Sequence, residues 1–393
     1  MGKKLKVLLI SESMGIERFG VAQVLLEIIA FCEKSDIDFR VICIQLEELP
    51  EGLREKVIHI PVLEFLLKEN IVSRMARWSP SMKSEILNEI ELFQPDLIHI
   101  HGVFTPLQQA AQKGAAIFNI PVLLSSHGML EPWTWNQHGL LYKIFKRFYW
   151  DLFLRPRLRQ VEYIHAITSL EAKNLRAEFP DSEQVLIPNS VNLSKIPEIK
   201  KHQSLDRSIL FFGRIHPKKG VHTLIEAFHL ANINGWRLKI AGPIFNQAYF
   251  RELNRQIRDL DLDDQVDFLG PVYGNEKYQL MARSWIVVVP SSSEVVGLVN
   301  LEAASVFTPT ITTYATGLSD WEDGGGILVD ADPKHLSNAI DFVTSWNLDE
   351  RVKRGKASRS LLESKYSWKS TGPLWEEAYR LVASTKTKDI PDL

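Results

Sequence analysis

The chain has 393 residues, 45% of them hydrophobic and 24% charged, with a formal net charge of −2 at pH 7. That balance supplies no global field for nucleic acid, and the length leaves room for two domains of ordinary size. Two cysteines, Cys32 and Cys43, exclude a disulfide-built scaffold and read as core packing.

Lys3-Lys4-Leu5-Lys6 runs directly into Val7-Leu8-Leu9-Ile10, an apolar run too short for a signal peptide, and no stretch is long enough to cross a bilayer. A reducing cytoplasm is the expected compartment. In chain order, strands are predicted at 5–10, 38–45, 96–100, 121–125, 162–167 and 184–187, then at 208–213, 236–241, 265–269, 285–289 and 309–313. Most are continuous apolar runs, as parallel strands covered on both faces require. Helices are predicted between them at 21–34, 106–118, 220–232, 248–260 and 334–346. This alternation predicts an α/β fold of doubly wound parallel sheets, and so many strands divide better into two sheets than one. Residues 188–207 carry turn formers without apolar period and mark an interdomain linker. Two facing domains leave a cleft, and such sheets bind ligands at the carboxyl ends of their strands.

Residues 138–160 predict one long helix. Leu140, Leu141, Ile144, Phe145, Phe148, Leu152 and Phe153 recur at helical spacing. Lys143, Lys146, Arg147, Arg155, Arg157 and Arg159 face a single acid, Asp151, with Tyr142, Tyr149 and Trp150 suited to an interface. Two readings stay open. In one, the helix lies on an anionic membrane with Phe145, Phe148 and Trp150 inserted and Lys143, Lys146 and Arg147 at the headgroups. In the other, the stripe is the core face of an ordinary helix and Phe145 and Phe148 are buried.

The loops after the later strands carry chemistry. Strand 208–213 ends in Gly213-Arg214-Ile215-His216-Pro217-Lys218-Lys219-Gly220, where a helix begins. A helix N-terminus with added Arg and Lys favours an anion, so Arg214 and Lys219 are expected to clamp a diphosphate, while Lys218 reads as a solvated loop lysine. Strand 285–289 leads into Ser291-Ser292-Ser293-Glu294-Val295-Val296-Gly297-Leu298. Gly297 permits a close turn, and its amide and that of Leu298 are expected to face the same anion. Glu302, one turn into that helix, suits the two hydroxyls of a ribose, and Glu294 at the loop tip suits sugar hydroxyls. An acid pair beside a diphosphate clamp points to a sugar nucleotide.

These motifs carry a resemblance. Glu294-x7-Glu302, Gly213-Arg214-x4-Lys219-Gly220 and Ile187-Pro188-Asn189 stand in the order seen in family 4 of the retaining glycosyltransferases, among the group 1 glycosyltransferases. Further matches are Asp96-Leu97-Ile98-His99-Ile100-His101-Gly102, Ser126-His127-Gly128-Met129-Leu130, Ile240-Ala241-Gly242-Pro243 and Phe268-Leu269-Gly270. The chain resembles that family from Leu5 to about Tyr379.

The resemblance implies a GT-B fold: two Rossmann-like doubly wound parallel-sheet domains facing a cleft. Residues 1–190 would form the acceptor domain and 191–365 the nucleotide-sugar domain, with 366–393 a C-terminal helix crossing back to the first. It implies retaining, metal-independent transfer of a sugar from a nucleoside diphosphate sugar to an acceptor hydroxyl, with no cofactor, in surface polysaccharide or glycolipid assembly. Arg214 and Lys219 would hold the diphosphate, Glu302 the ribose and Glu294 the transferred sugar, with Gly297 and Leu298 completing the donor site. His127 would sit beside the reacting sugar, and His127, Glu294, Arg214 and Lys219 form the expected catalytic set. Gly20, matching the second glycine of a loop near phosphate and acceptor, and His101 complete the acceptor side. A glycan or lipid-linked acceptor is implied and no nucleic acid; a setting at the inner face of the cell membrane would suit residues 138–160. Four positions depart from the family pattern: Phe19, Val296, Phe307 and Ser190. They bear on loop shape and so on the identity of donor sugar and acceptor. A GT-B sugar-nucleotide epimerase and a non-catalytic sugar-nucleotide-binding protein are the alternatives.

No metal site is expected. His99 and His101 alternate on a strand, but a metal needs more ligands than these. Asp259, Asp261, Asp263 and Asp264 include Asp-x-Asp spacings, yet they close a helix before strand 265–269, at the wrong end of it.

Overall fold

The computed structural model describes residues 3–15, 20–61, 79–136, 139–198, 205–231 and 233–385. Phe19 and His138 lie outside the described residues. The chain divides into two compact units, 1–188 with 372–393, and 189–371.

The first unit holds a seven-stranded sheet of β1 (Leu5–Met14), β2 (Ile37–Leu46), β3 (Val57–His59), β4 (Leu97–His101), β5 (Val122–Ser125), β6 (Tyr163–Ala166) and β7 (Glu183–Leu186), in the order β3-β2-β1-β4-β5-β6-β7. All its pairings are parallel. Leu8, Ile10, Ile42, Ile98, Ile100 and Leu124 are buried in one cluster with helix residues such as Ile86, Leu107 and Ala111, as strands covered by helices require. The second unit holds six parallel strands, β8 (Asp206–Phe212), β9 (Arg237–Ala241), β10 (Val266–Gly270), β11 (Ser284–Val289), β12 (Thr310–Thr313) and β13 (Ile327–Val329), in the order β10-β9-β8-β11-β12-β13. Strand order reverses between β1 and β4 and between β8 and β11, the switch points where doubly wound sheets open a crevice. β3 and β13 are additions to the predicted strands, each only three residues long.

Helix Trp368–Ala383 contains the division at Thr371/Gly372. Beyond it, Trp375 and Tyr379 are buried in the first unit. Gly372 packs so closely on the Phe31 ring that a Cβ would stand 2.3 Å from it. Cys32 and Cys43 are free and buried, their thiols pushed up to about 12 by burial.

Residues 140–158 form one helical run: Leu140–Tyr149, a π-helical turn at Trp150–Leu154, and Arg155–Leu158. Its orientation corrects both sequence readings in part. Trp150, expected at an interface, is fully buried and donates its indole N–H to Glu178 at 2.9 Å. Lys146, expected on a basic rim, is buried. It donates to Thr134 O at 3.1 Å and lies 4.6 Å and 4.9 Å from the Phe104 and Trp135 ring centroids. Phe145 and Phe148, buried in the core reading, are 42% and 55% exposed. The helix turns its polar-seeming side inward because Lys146 snorkels between two rings to a carbonyl.

Candidate active site

In the second unit, the loop after β8 turns through a short 3₁₀ helix, Pro217–Lys219, into helix Val221–Leu230. Gly220 lies in the left-handed region at φ +72°, and a Cβ there would stand 2.1 Å from Pro290 O. Gly242, after β9, would place a Cβ 1.8 Å from Gly213 O. Three strand-end loops therefore pass backbone against backbone, and only glycine fits the crossings.

The loop after β11 is fixed from below. The Glu294 N–H donates to Ala315 O at 2.7 Å and the Gly297 N–H to Thr316 O at 3.1 Å. The buried Asn300 amide donates to Gly297 O at 3.1 Å and Thr312 Oγ1 at 3.0 Å. Thr312 and Thr316 join at 3.0 Å, and Thr313 Oγ1 donates to Ser291 O. This corrects one expectation: the N–H groups of Gly297 and Leu298, assigned to an anion, are taken by Thr316 O and Val296 O. The loop folds down onto the Tyr314–Thr316 turn, so its first amides close the loop itself.

Both acids of the spaced pair carry lysine partners. Glu294 pairs with Lys219 through Oε1, which also accepts from Ser291 Oγ at 2.9 Å. Glu302 pairs with Lys277 at 2.7 Å. Lys277 was not singled out in the sequence. Burial works against its charge, but Glu302 and the Tyr278 phenol, whose ring centroid lies 4.6 Å away, hold its ammonium above the ordinary lysine value. Lys218 also differs from expectation. It is half-buried, and burial with its neighbours Lys219 and Arg214 pushes it down to about 8 against the pull of Glu294. Arg214 is exposed, its guanidinium 5.4 Å from the Phe245 ring centroid. The carboxyl ends of β8 and β11 thus gather Arg214, Lys218, Lys219 and Glu294, with Glu302 and Lys277 behind them.

Of the departures from the family pattern, Val296 is buried, and Ser190 Oγ shares a 2.7 Å hydrogen bond with Thr371 Oγ1. Phe307 adopts φ +60°, a region costly for an aromatic residue, with its ring under the Arg359 guanidinium at 5.4 Å.

In the first unit, four histidines meet at the carboxyl ends of β4, β5 and β6. His165 Nε2 donates to Ile187 O at 2.8 Å, so its neutral Nδ1 accepts from Ser125 Oγ at 2.9 Å. Ser125 Oγ then accepts from His99 Nε2 at 2.7 Å, and His99 Nδ1 accepts from the Tyr379 hydroxyl at 2.9 Å. One tautomer assignment satisfies the whole chain with every ring neutral. His101 lies 3.8 Å from His99 between ring centroids, and its Nδ1 shares a 2.8 Å hydrogen bond with His127 Nε2. His101 Nε2 is buried with no hydrogen-bond partner among the described residues. Burial, with His165 beside it, pushes His127 down to about 3, and burial pushes His165 to about 4.

His127 itself lies at φ +50°, followed by Gly128 at +72°. The fully buried Glu171 holds this turn. Its carboxylate accepts Ser126 Oγ at 2.9 Å, the Gly128 N–H at 2.7 Å and the Ile167 N–H at 2.8 Å. Glu171, unlike His127, was missed in the sequence. Gly20, at φ +77°, is the N-cap of helix Val21–Cys32.

Among the described residues, the one group spaced for a metal ion is Asp330, Asp332 and His335. Asp332 already caps helix Pro333–Thr344, accepting the Lys334 and His335 N–H groups at 3.0 Å and 3.1 Å. Asp259, the last residue of helix Gln247–Asp259, and Asp261, Asp263 and Asp264 in the turn before β10 are exposed. A cavity of about 430 Å³ lies in the first unit, bordered by Lys4, Leu26, Glu33, Asp38, Leu53 and Lys56, and none of the expected site residues lines it.

Comparison with known proteins matches each half of the chain. Residues 20–195 match the family described as Glycosyltransferase Family 4, and residues 194–360 the family described as Glycosyl transferases group 1. A glycogen synthase of Mycobacterium tuberculosis is 28% identical over 203 residues, 50% of this chain and 48% of that protein. A D-inositol 3-phosphate glycosyltransferase of Pseudarthrobacter chlorophenolicus is 30% identical over 232 residues, 54% of each chain. The chain spans about half the length of the curated relatives it matches. The crystal structure of Anabaena HepE in complex with UDP and glucose shares the fold, with a TM-score of 0.72 over 97% of this chain and 100% of that one, at 17% identity.

Proposed function

We propose that this chain, which belongs to the family 4, group 1 glycosyltransferases, moves a sugar from a nucleoside diphosphate sugar to an acceptor hydroxyl, with retention at the anomeric carbon and without a metal ion. The observation that carries the reading is the cluster of Arg214, Lys218 and Lys219 around Glu294 at the β8 and β11 ends. These cations would hold the diphosphate and take up the negative charge that develops as it leaves. Fixed positive side chains do there what a divalent ion does elsewhere. Glu302, steadied by Lys277, would accept hydrogen bonds from the ribose hydroxyls, and Glu294 would bind the sugar. In the first unit, His127 would contact the sugar, with His101 and Gly20 on the acceptor side.

The bond from the anomeric carbon to the diphosphate oxygen breaks while the acceptor oxygen bonds that carbon on the same face. The acceptor proton passes to the departing diphosphate, so no enzyme nucleophile is required. The UDP and glucose held by HepE support a uridine diphosphate hexose as the donor class. The setting we assign is assembly of a surface polysaccharide or glycolipid at the cytoplasmic face of the cell membrane, on a glycan or lipid-linked acceptor.

The test is a thermal-shift screen against nucleoside diphosphate sugars, followed by transfer assays with the best ligand and excess chelator. Stabilisation by one donor and transfer that survives the chelator support the reading. Loss of transfer restored by magnesium or manganese overturns the metal-independent part. Tight binding with no transfer or hydrolysis overturns catalysis, and donor epimerised without an acceptor points to an epimerase.

A further inference from the structure

The helical run 140–158 carries its apolar stripe on the outside. Leu140, Leu141, Ile144, Phe145, Phe148 and Leu152 are 70%, 84%, 56%, 42%, 55% and 58% exposed. Their spacing of i, i+1, i+4, i+5, i+8 and i+12 is that of one helical face. The opposite face supplies Lys146, Trp150, Leu154 and Leu158 to the interior. An amphipathic helix normally buries its apolar side, because removing that area from water stabilises the fold. Here the fold is completed by the other side, and six large side chains are left in water. Isolated exposed leucines need no explanation, but a contiguous stripe on one helix marks an interaction surface.

Charge decides the occupant. Lys143 and Arg159 are exposed and Arg157 is half-exposed, with Arg157 donating to Gln109 and to Phe153 O. The run has one acid, Asp151, and it is already bound by Arg147 at 2.8 Å and Arg155 at 3.3 Å. Glu178, alongside, is bound by the same two arginines. The acids at this surface are therefore neutralised in place, and the remaining exposed charge beside the stripe is positive. Tyr142 and Tyr149 stand half-buried at its margin. A second protein surface would have to offer apolar area rimmed by acids, whereas an anionic bilayer offers both along its whole plane. No helix among the described residues is long and apolar enough to cross a membrane, so the contact would be one of lying on the surface.

We propose that the outer face of the 140–158 helix docks the first unit on an anionic lipid bilayer, inserting Leu141, Phe145 and Phe148, with Lys143 and Arg159 at the headgroups. The proposal stands on this face alone and holds whether or not the transfer reaction does.

The experiment is cosedimentation of the full chain with vesicles of phosphatidylglycerol and phosphatidylcholine, against phosphatidylcholine alone, at low and high salt. No donor or acceptor is added, so the result does not depend on activity. Three chains are compared: wild type, Leu141→Ser with Phe145→Ser and Phe148→Ser, and Lys143→Glu with Arg159→Glu. The substituted side chains are exposed, so melting temperatures should stay within a few degrees of wild type, which a thermal scan checks. The expected result is binding to anionic vesicles at low salt and release at high salt, as screening of surface charge requires. Partition should weaken more than tenfold in each variant, at roughly fivefold per basic side chain removed. Absence of wild-type binding to anionic vesicles overturns the proposal, as does undiminished binding by the serine variant. Concentration-dependent self-association of the wild type, abolished by the serine substitutions and without vesicle binding, would make the face a contact between copies of the chain instead.

Discussion

The Glu171 carboxylate accepts the backbone N–H of Gly128 at 2.7 Å, forty-three residues away in sequence. Between its two acceptor bonds on that turn, to Ser126 Oγ and to Gly128, stands His127 at φ +50°. A histidine in the left-handed region persists only where its surroundings over-determine it. Glu171 is that determinant, and it is kept buried against its own desolvation, which raises its carboxyl above the ordinary range. We therefore treat Glu171 as a positioning residue for His127.

Glu171→Ala leaves three buried donors without an acceptor, each costing about 1–3 kcal/mol of stability. Glu171→Gln keeps one acceptor oxygen and tests the role more gently. Assayed well below its melting temperature, Glu171→Gln should lose more than tenfold in kcat with the donor KM changed less than twofold, because the groups proposed to hold the diphosphate and ribose belong to the second unit and are untouched. Lowered melting with an unchanged kcat would reduce Glu171 to a structural role.

Glu294 and Lys219 yield a prediction that the sequence alone does not. Glu294 is bound to Lys219 and Ser291. A diphosphate that competes for Lys219 draws it away from Glu294 and frees that carboxylate for the sugar we propose it binds. Glu294→Ala should therefore bind free nucleoside diphosphate several-fold more tightly, while binding the sugar nucleotide more weakly. Lys219→Ala or Arg214→Ala should weaken both by at least tenfold, since a charge-assisted bond is worth roughly 1.5–3 kcal/mol. Calorimetric titration of both ligands against the three variants checks this. Weaker binding of free diphosphate by Glu294→Ala would show that the pair does not compete with the ligand.

Lys277 is half of the second pair, and both its side chain and that of Glu302 are about one-fifth exposed. Lys277→Met keeps the stem over the Tyr278 ring but removes the charge, leaving Glu302 without its 2.7 Å partner. Free nucleoside diphosphate should bind several-fold more weakly, and Glu302→Ala should do the same. The double substitution should cost less than the sum of the two, as residues acting through one contact do. Additive effects in a double-mutant titration would separate Lys277 from the ribose role.

The strongest parallel strands are legible because their apolar runs continue over four residues: Val7–Ile10 and Ile286–Val289 announce β1 and β11. β3 and β13 escape because three residues, Val57–His59 and Ile327–Val329, carry no period. The helix at 140–158 shows the limit more sharply. Its stripe is plain in the sequence, but which side faces inward depends on Lys146 reaching Thr134 O between two rings, a tertiary event with no local signal. The acid and cation positions are readable from spacing. Their partners Lys277 and Glu171 are not, because each is recruited from a distant helix, twenty-five and forty-three residues along the chain. The Gly297 amide misleads for the same reason: Thr316 O, which closes the loop, comes from after the next strand, whereas the Leu298 amide is taken locally by Val296 O.

The last prediction concerns acid. His99, His101, His127 and His165 are buried and neutral, and burial holds each below the ordinary histidine value, His127 at about 3 and His165 at about 4. In the unfolded chain these rings titrate near roughly 6.5. Above that value neither state is protonated and the histidines add no pH dependence. Below it the unfolded chain binds protons that the folded chain refuses, so stability falls as pH falls, down to about pH 3–4. At pH 5 each fully buried ring should cost about 2 kcal/mol relative to pH 7. Glu131 and Glu171, whose carboxyls are raised by burial, act in the opposite sense as they take up protons in the folded state. Glu89 acts with those carboxyls, while His216 and His222, also held down by burial, add to the four rings, so six histidines outweigh three carboxyls and urea midpoints should drop between pH 6.5 and pH 5. Replacing His165 by glutamine, which can still accept from Ser125 and donate to Ile187 O, should flatten that slope by the share of one proton. A slope unchanged in His165→Gln, or a midpoint flat from pH 7 to pH 5 in the wild type, would mean that the cluster is charged or open to water in the folded chain.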